Sequence, residues 1–124
     1  MKFEDLRSEY AALWAKMTVR SAFKPAIEAS AAKIAANKDR YGIVSEMTSV
    51  PWYVIGLIHQ MEAGCNFGCH LHNGDPLARK TVHVPANRPE AGNGPYAWEI
   101  SACDALAMKR LETVKDVPRH ARHF

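Results

Sequence analysis

The sequence predicts a mainly α-helical domain of α+β type with one small β-hairpin lobe, and three observations predict it. Apolar residues recur at three-and-four spacing through the N-terminal half. A central helix has a start signal in Thr48, Ser49 and Pro51 and a stop at Gly64. Past Gly64 the composition turns to Gly, His, Asn and Asp, with turn dipeptides at Asn73-Gly74 and Gly74-Asp75 ahead of the β-prone residues 81–84. With 124 residues, 48% of them hydrophobic, the chain is long enough for one real core.

In chain order, Phe3, Leu6, Tyr10, Leu13, Trp14 and Met17 form one stripe of a helix expected over residues 3–22. Pro25 suits the first turn of a second helix over residues 26–47, with Ile27, Ala31, Ile34, Tyr41 and Val44 on its buried side and Gly42 as its weak point. Both segments read as scaffold. The third helix, residues 51–63, puts Ile55, Ile58, His59 and Glu62 on one face. A hairpin lobe should follow, and then a surface loop over residues 85–95, which holds three prolines and two glycines. A last helix is expected over residues 96–114, burying Trp98, Ile100, Cys103, Leu106, Leu111 and Val114. Residues 1–114 then make one domain, and residues 115–124 a basic tail.

Composition narrows the function classes. Sixteen basic against thirteen acidic residues give a formal charge of +3, a mild excess that fits a polyanionic surface and is no nucleic-acid signature. Three cysteines argue against a complete disulfide framework and point to a reducing compartment. The charged N-terminus MKFEDLRSEY is no signal peptide, and no apolar run approaches membrane-spanning length. The expectation is a cytoplasmic protein with no membrane insertion.

Glu62 carries the strongest chemical signal. A carboxyl group on the apolar face of a helix, in its last turn, is held towards its protonated form by partial desolvation and by the negative end of the helix dipole, as a general acid requires. Asp75 supplies a second carboxylate in the hairpin turn, either as a partner to Glu62 or as a turn residue chosen for its backbone hydrogen bonds. A rival pattern is the cluster Cys65, Cys69, His70 and His72, with His59 and His83 near by, whose residue types suit zinc although the spacing matches no common structural zinc pattern. Trp52 and Tyr53 read as core more than as a sugar-stacking surface.

The run VPWYVIGLIHQMEAGCNFGCHLHNGDPLARKTVHVPANRP, followed by YAWEISACDAL, resembles a family of phage-type lysozyme-like proteins, peptidoglycan hydrolases of the endolysin and muramidase kind. The resemblance covers residues 10–106, and HLHNGDPL with the TVHVP and RP elements carries most of it. It implies a lysozyme-like fold and identifies Glu62 with the general acid at the end of the first core helix of that family. Asp75 and Thr81 have five residues between them, the spacing of the Asp and Thr in the Glu, Asp and Thr set of phage muramidases, although twelve residues separate Glu62 from Asp75, more than in that set.

The expected activity is cleavage of the β-1,4 bond between N-acetylmuramic acid and N-acetylglucosamine, by hydrolysis or lytic transglycosylation, with no metal or cofactor. Glu62, Asp75 and Thr81 are the expected catalytic residues. His59, His72, Asn73 and Tyr96 are the expected lining of the substrate cleft. Localisation would be cytoplasmic until release to the cell wall. Relative to that family the C-terminus looks shortened, which would expose apolar surface around Trp98 and Leu106 and promote self-association. The alternatives are a non-catalytic wall-binding or structural protein of the same fold, and a small zinc-binding module.

Overall fold

Helix α4, Trp52–Ala63, is the element on which the others are assembled. The computed structural model describes residues 3–16 and 20–109. Among them are four further helices, α1 (Phe3–Lys16), α2 (Lys24–Ala36), α3 (Lys38–Thr48) and α5 (Trp98–Met108). Helix α4 packs on α2 along one side and on α3 along another, and α5 lies against α3. Gly56 allows the close approach of α2, since a Cβ at that position would run into the Ile34 side chain and press on the Tyr41 ring.

The core lies where α3, α4 and α5 meet. Tyr41, Val44, Ile55, Trp98, Ala102 and Leu106 are buried there, and Leu71 and Leu77 enter from the long segment between α4 and α5. Each fully buried large side chain of this kind stabilises the fold by about 1.5–3 kcal/mol. Among the described side chains, none from α1 belongs to this core. Among the described residues no helix is long and apolar enough to cross a membrane.

The fold is mainly helical, as expected, and several boundaries differ from those read in the sequence. The helix expected over residues 26–47 is two helices, and the break falls at Asn37 and not at Gly42. Asn37 leaves helical geometry at φ −108° and ψ 17°, and its side-chain amide donates to the Lys33 carbonyl at 2.8 Å. In α5 the buried face consists of Trp98, Ser101, Ala102, Ala105 and Leu106, while Ile100 is 61% exposed. Trp98 and Leu106 are buried, as the helix pattern predicts and against the exposed apolar surface expected around them from a shortened C-terminus. Leu111, Val114 and the tail at residues 115–124 lie outside the described residues.

The β-hairpin lobe is a correction. Among the described residues there is no strand, only an isolated antiparallel bridge between Cys69 and Pro76. The reason is local. The amides of Val82 and His83, which a ladder would need, donate to the Asp75 carboxylate, and Pro76 and Pro85 have no amide to offer. Residues 64–97 therefore fold as a coil pinned by side chains.

Candidate functional site

The site begins at the last turn of α4. Gly64 takes a left-handed conformation with φ 56°, its amide donates to the Gln60 carbonyl at 3.1 Å, and the Cys65 amide donates to the His59 carbonyl at 3.2 Å. This paired termination turns the chain sharply away from the helix axis. Glu62 stands just before it and is half-buried. The turn at residues 73–75 returns to the helix end, where Gly74, at φ 83°, lies against the Glu62 carbonyl so closely that a Cβ would collide with it.

Four acidic side chains among the described residues are half-buried, namely Glu62, Asp75, Glu99 and Asp104. Three of them are tied. The Asp75 carboxylate accepts from the Val82 amide at 2.8 Å, from the His83 amide at 2.9 Å and from the His83 ring at 2.7 Å. Desolvation works to raise its pKa, but the His83 amide and ring and the Val82 amide outweigh it and hold the group well below the ordinary carboxylate range. Asp104 accepts from Arg88 at 2.6 and 3.1 Å and from His72 Nε2 at 2.6 Å. Burial opposes its ionisation there too, and Arg88 followed by His72 lowers the pKa nonetheless. Glu99 accepts from Arg40 Nε at 2.8 Å. Among the described residues nothing donates to the Glu62 carboxylate or pairs with it.

Three histidines brace this region. His59 is 0% exposed. Its Nε2–H donates to the Asn66 carbonyl at 2.9 Å, so its Nδ1 must accept from the Tyr41 hydroxyl at 2.8 Å. Its ring packs against Phe67 at 4.6 Å and Trp98 at 4.9 Å between centroids. Burial pushes its pKa down, with the Asn66 hydrogen bond acting the other way. His70 is also 0% exposed, donates from Nε2 to the Arg79 carbonyl at 2.7 Å and accepts from Ser101 Oγ at 2.6 Å. His72 donates from Nε2 to Asp104, and its Nδ1 is buried with no hydrogen-bond partner. Burial lowers its pKa more than Asp104 raises it.

The structure brings Glu62 and the Asp75 turn together and places the other expected residues as follows. Thr81 is 2% exposed, with its hydroxyl donating to the Pro85 carbonyl and accepting from the Arg88 amide at 3.0 Å, so it closes the loop that follows and offers no open surface. Asn73 accepts from the Asp75 amide at 2.9 Å and donates to the His83 carbonyl at 3.0 Å. Tyr96 is half-buried, with its ring 5.6 Å from that of His70 and its hydroxyl lacking a partner. His59 and His72, expected to line the cleft, are inside the fold.

For the zinc reading, both nitrogens of His70 and one of His72 are engaged in hydrogen bonds. No group of three His, Cys, Asp or Glu among the described residues is placed to hold a metal ion, and the three cysteines are free thiols.

The Arg88–Asp104–His72 network was not read in the sequence. Its one signal is that Asp104 is a lone carboxylate in the otherwise apolar second half of WEISACDALAM. No protein-family model, no curated protein and no solved structure matches the chain.

Proposed function

We propose that this chain is a peptidoglycan hydrolase in which Glu62 is the general acid. One observation carries the proposal: of the four half-buried carboxylates among the described residues, Glu62 is the one left without a hydrogen-bond or ion-pair partner, at the mouth of a helix end braced on both sides. A group that must gain and release a proton in each cycle cannot also be held in three hydrogen bonds as Asp75 is.

In the proposed reaction the Glu62 proton passes to the glycosidic oxygen between N-acetylmuramic acid and N-acetylglucosamine. The bond from C1 to that oxygen breaks, and positive charge spreads over C1 and the ring oxygen. A water oxygen then bonds to C1, and its proton returns to Glu62. Asp75 and Thr81 hold the loop that faces the helix end and act on the reaction only through its shape. With Glu62 as the working carboxylate, a hydroxyl of the muramic acid can take the place of water, giving a product lighter by one water.

The test is clearance of turbid suspensions of isolated cell walls by the purified chain, with mass spectrometry of the released fragments. Wild-type protein should release disaccharide-peptide fragments, and Glu62→Gln should reduce the rate about 10²-fold or more. Binding of walls without any release by the wild type would replace the proposal with a non-catalytic wall-binding role.

A further inference from the structure

The residues Val82, His83 and Val84 stand out from the loop, and no step of the proposed reaction uses them. Val82 is 59% exposed, the His83 side chain 80% and Val84 89%. Their backbone is nonetheless held on both sides. The amides of Val82 and His83 converge on one oxygen of Asp75, and the Asn73 side-chain amide donates to the carbonyls of His83 at 3.0 Å and Val84 at 3.4 Å. Asn73 and Asp75 flank Gly74, the residue that lies against the Glu62 carbonyl. A single turn therefore ties the exposed segment to the helix end that carries Glu62.

Ordering a segment costs conformational entropy, which burial of its side chains usually offsets. Here the three side chains bury little, and five hydrogen bonds from Asn73 and Asp75 fix a piece of surface. A surface fixed in advance binds a ligand at a lower entropic cost. Its chemistry is also defined. The Asp75 carboxylate only accepts, so the proton of a neutral His83 ring sits on Nδ1, 2.7 Å from it. Nε2 is left as an acceptor with no partner among the described residues, between two exposed valines in the chain.

We propose that His83 is a specificity-determining residue for the acetamido groups of the glycan, with Nε2 accepting the acetamido N–H and the side chains of Val82 and Val84 taking its methyl. The proposal rests on the glycan reading of the Glu62 site. Both sugars of that substrate carry an acetamido group, which sets one N–H donor beside one methyl. An acceptor flanked by aliphatic side chains is its complement. An anionic ligand fits less well, because it has no proton for Nε2 and meets the Asp75 charge behind the ring.

The experiment is a titration of the full chain with N,N′,N″-triacetylchitotriose, at about pH 8 to keep imidazoles neutral. A parallel titration uses cellotriose, which has the same backbone linkage and a hydroxyl in place of each acetamido group. Nitrogen NMR follows the imidazoles of the wild type, and affinities and melting curves are compared with those of His83→Ala and Val84→Ser. The acetylated trimer should shift the His83 Nε2 resonance and bind about 10-fold more tightly than cellotriose. His83→Ala keeps both backbone amides on Asp75, so it should melt close to the wild type while losing most of that discrimination. Val84→Ser should weaken binding of the acetylated trimer about 2–3-fold. On cell walls, His83→Ala should raise KM and leave kcat little changed.

No binding of the acetylated trimer, equal affinity for the two trimers, or full discrimination in a folded His83→Ala overturns the proposal. Should His83→Ala fail to fold, the wild-type resonance decides: an Nε2 signal that stays in place on binding overturns it as well. The two readings fail separately. Walls cleaved by His83→Ala with an unchanged KM remove His83 and leave Glu62, whereas acetamido discrimination at His83 in a chain that releases nothing from walls upholds His83 and removes the hydrolase.

Discussion

The last turn of α4 and the loop at residues 73–90 both hold half-buried acid groups, and they treat them in opposite ways. In the loop, the Asp75 carboxylate accepts two amides and an imidazole and replaces the ladder that the sequence suggested. Asp104, on α5, serves the same loop by gripping Arg88 and His72. At the helix end the fold surrounds Glu62 with restrained backbone and leaves its carboxylate unbound. Two carboxylates that look alike in sequence thus separate into one that builds structure and one that is left without a partner among the described residues.

That contrast is sharpened first by Glu62→Gln. Activity on cell walls should fall about 10²-fold or more while the melting temperature hardly moves, because no partner is lost. A large drop in stability with retained activity would reverse the assignment.

Asp104→Asn should do the opposite. It weakens the hold on Arg88 and leaves His72 less well satisfied, and a loss of about 2–4 kcal/mol in urea unfolding is expected, with residual activity tracking the folded fraction. Asp75→Asn belongs to the same class at about 1–3 kcal/mol, since the amides of Val82 and His83 keep a weaker acceptor. Should Asp75→Asn abolish wall cleavage in a fully folded protein, Asp75 would join Glu62 as a reacting group.

The smallest effect is a pH profile. Asp75 and Asp104 have folded pKa values below their unfolded ones, so their contribution is complete above about pH 4 and is lost as the pH falls towards the folded values. His59 and His72 are lowered by burial, so the unfolded chain binds more protons than the folded one below about pH 6.5 and stability declines there as well. Urea unfolding should show a shallow decline on acidification from about pH 7.5 to 5 and a steeper one below about 4. In Asp75→Asn the steep part should be smaller. Stability that stays level or rises on acidification would contradict these directions.

Helix α4 was legible almost to the residue, expected over 51–63 and found at Trp52–Ala63, because its signals are local: a proline before its first turn and a left-handed glycine after its last. The half-burial of Glu62 was legible for the same reason, since three-and-four spacing set it beside Ile55 and His59. The loop was not. Whether Val82 and His83 form a strand depends on a carboxylate seven and eight residues earlier, and β-propensity does not record it. The histidines were misplaced because their partners are distant in sequence. Tyr41 is 18 residues from His59, Ser101 is 31 from His70, and Asp104 is 32 from His72. In a strand, alternation with Leu71 would put His70 and His72 on one face, whereas no strand forms there and all three side chains are buried.

The hydrogen bonds of His59 reach further than its own burial. One ring nitrogen engages α3 through Tyr41 and the other the chain beyond the helix through Asn66, so residues 59 and 66 are two anchored posts with Glu62 on the short span between them. A side chain that makes no contacts would ordinarily give up rotational and translational freedom when a substrate is seated beside it. Here the backbone that carries Glu62, though not its side chain, is already fixed during folding, by an imidazole buried in the core. A neutral ring is needed for this, because a doubly protonated His59 could no longer accept from Tyr41. The directional precision of the Glu62 span therefore depends on the protonation state of a group inside the core.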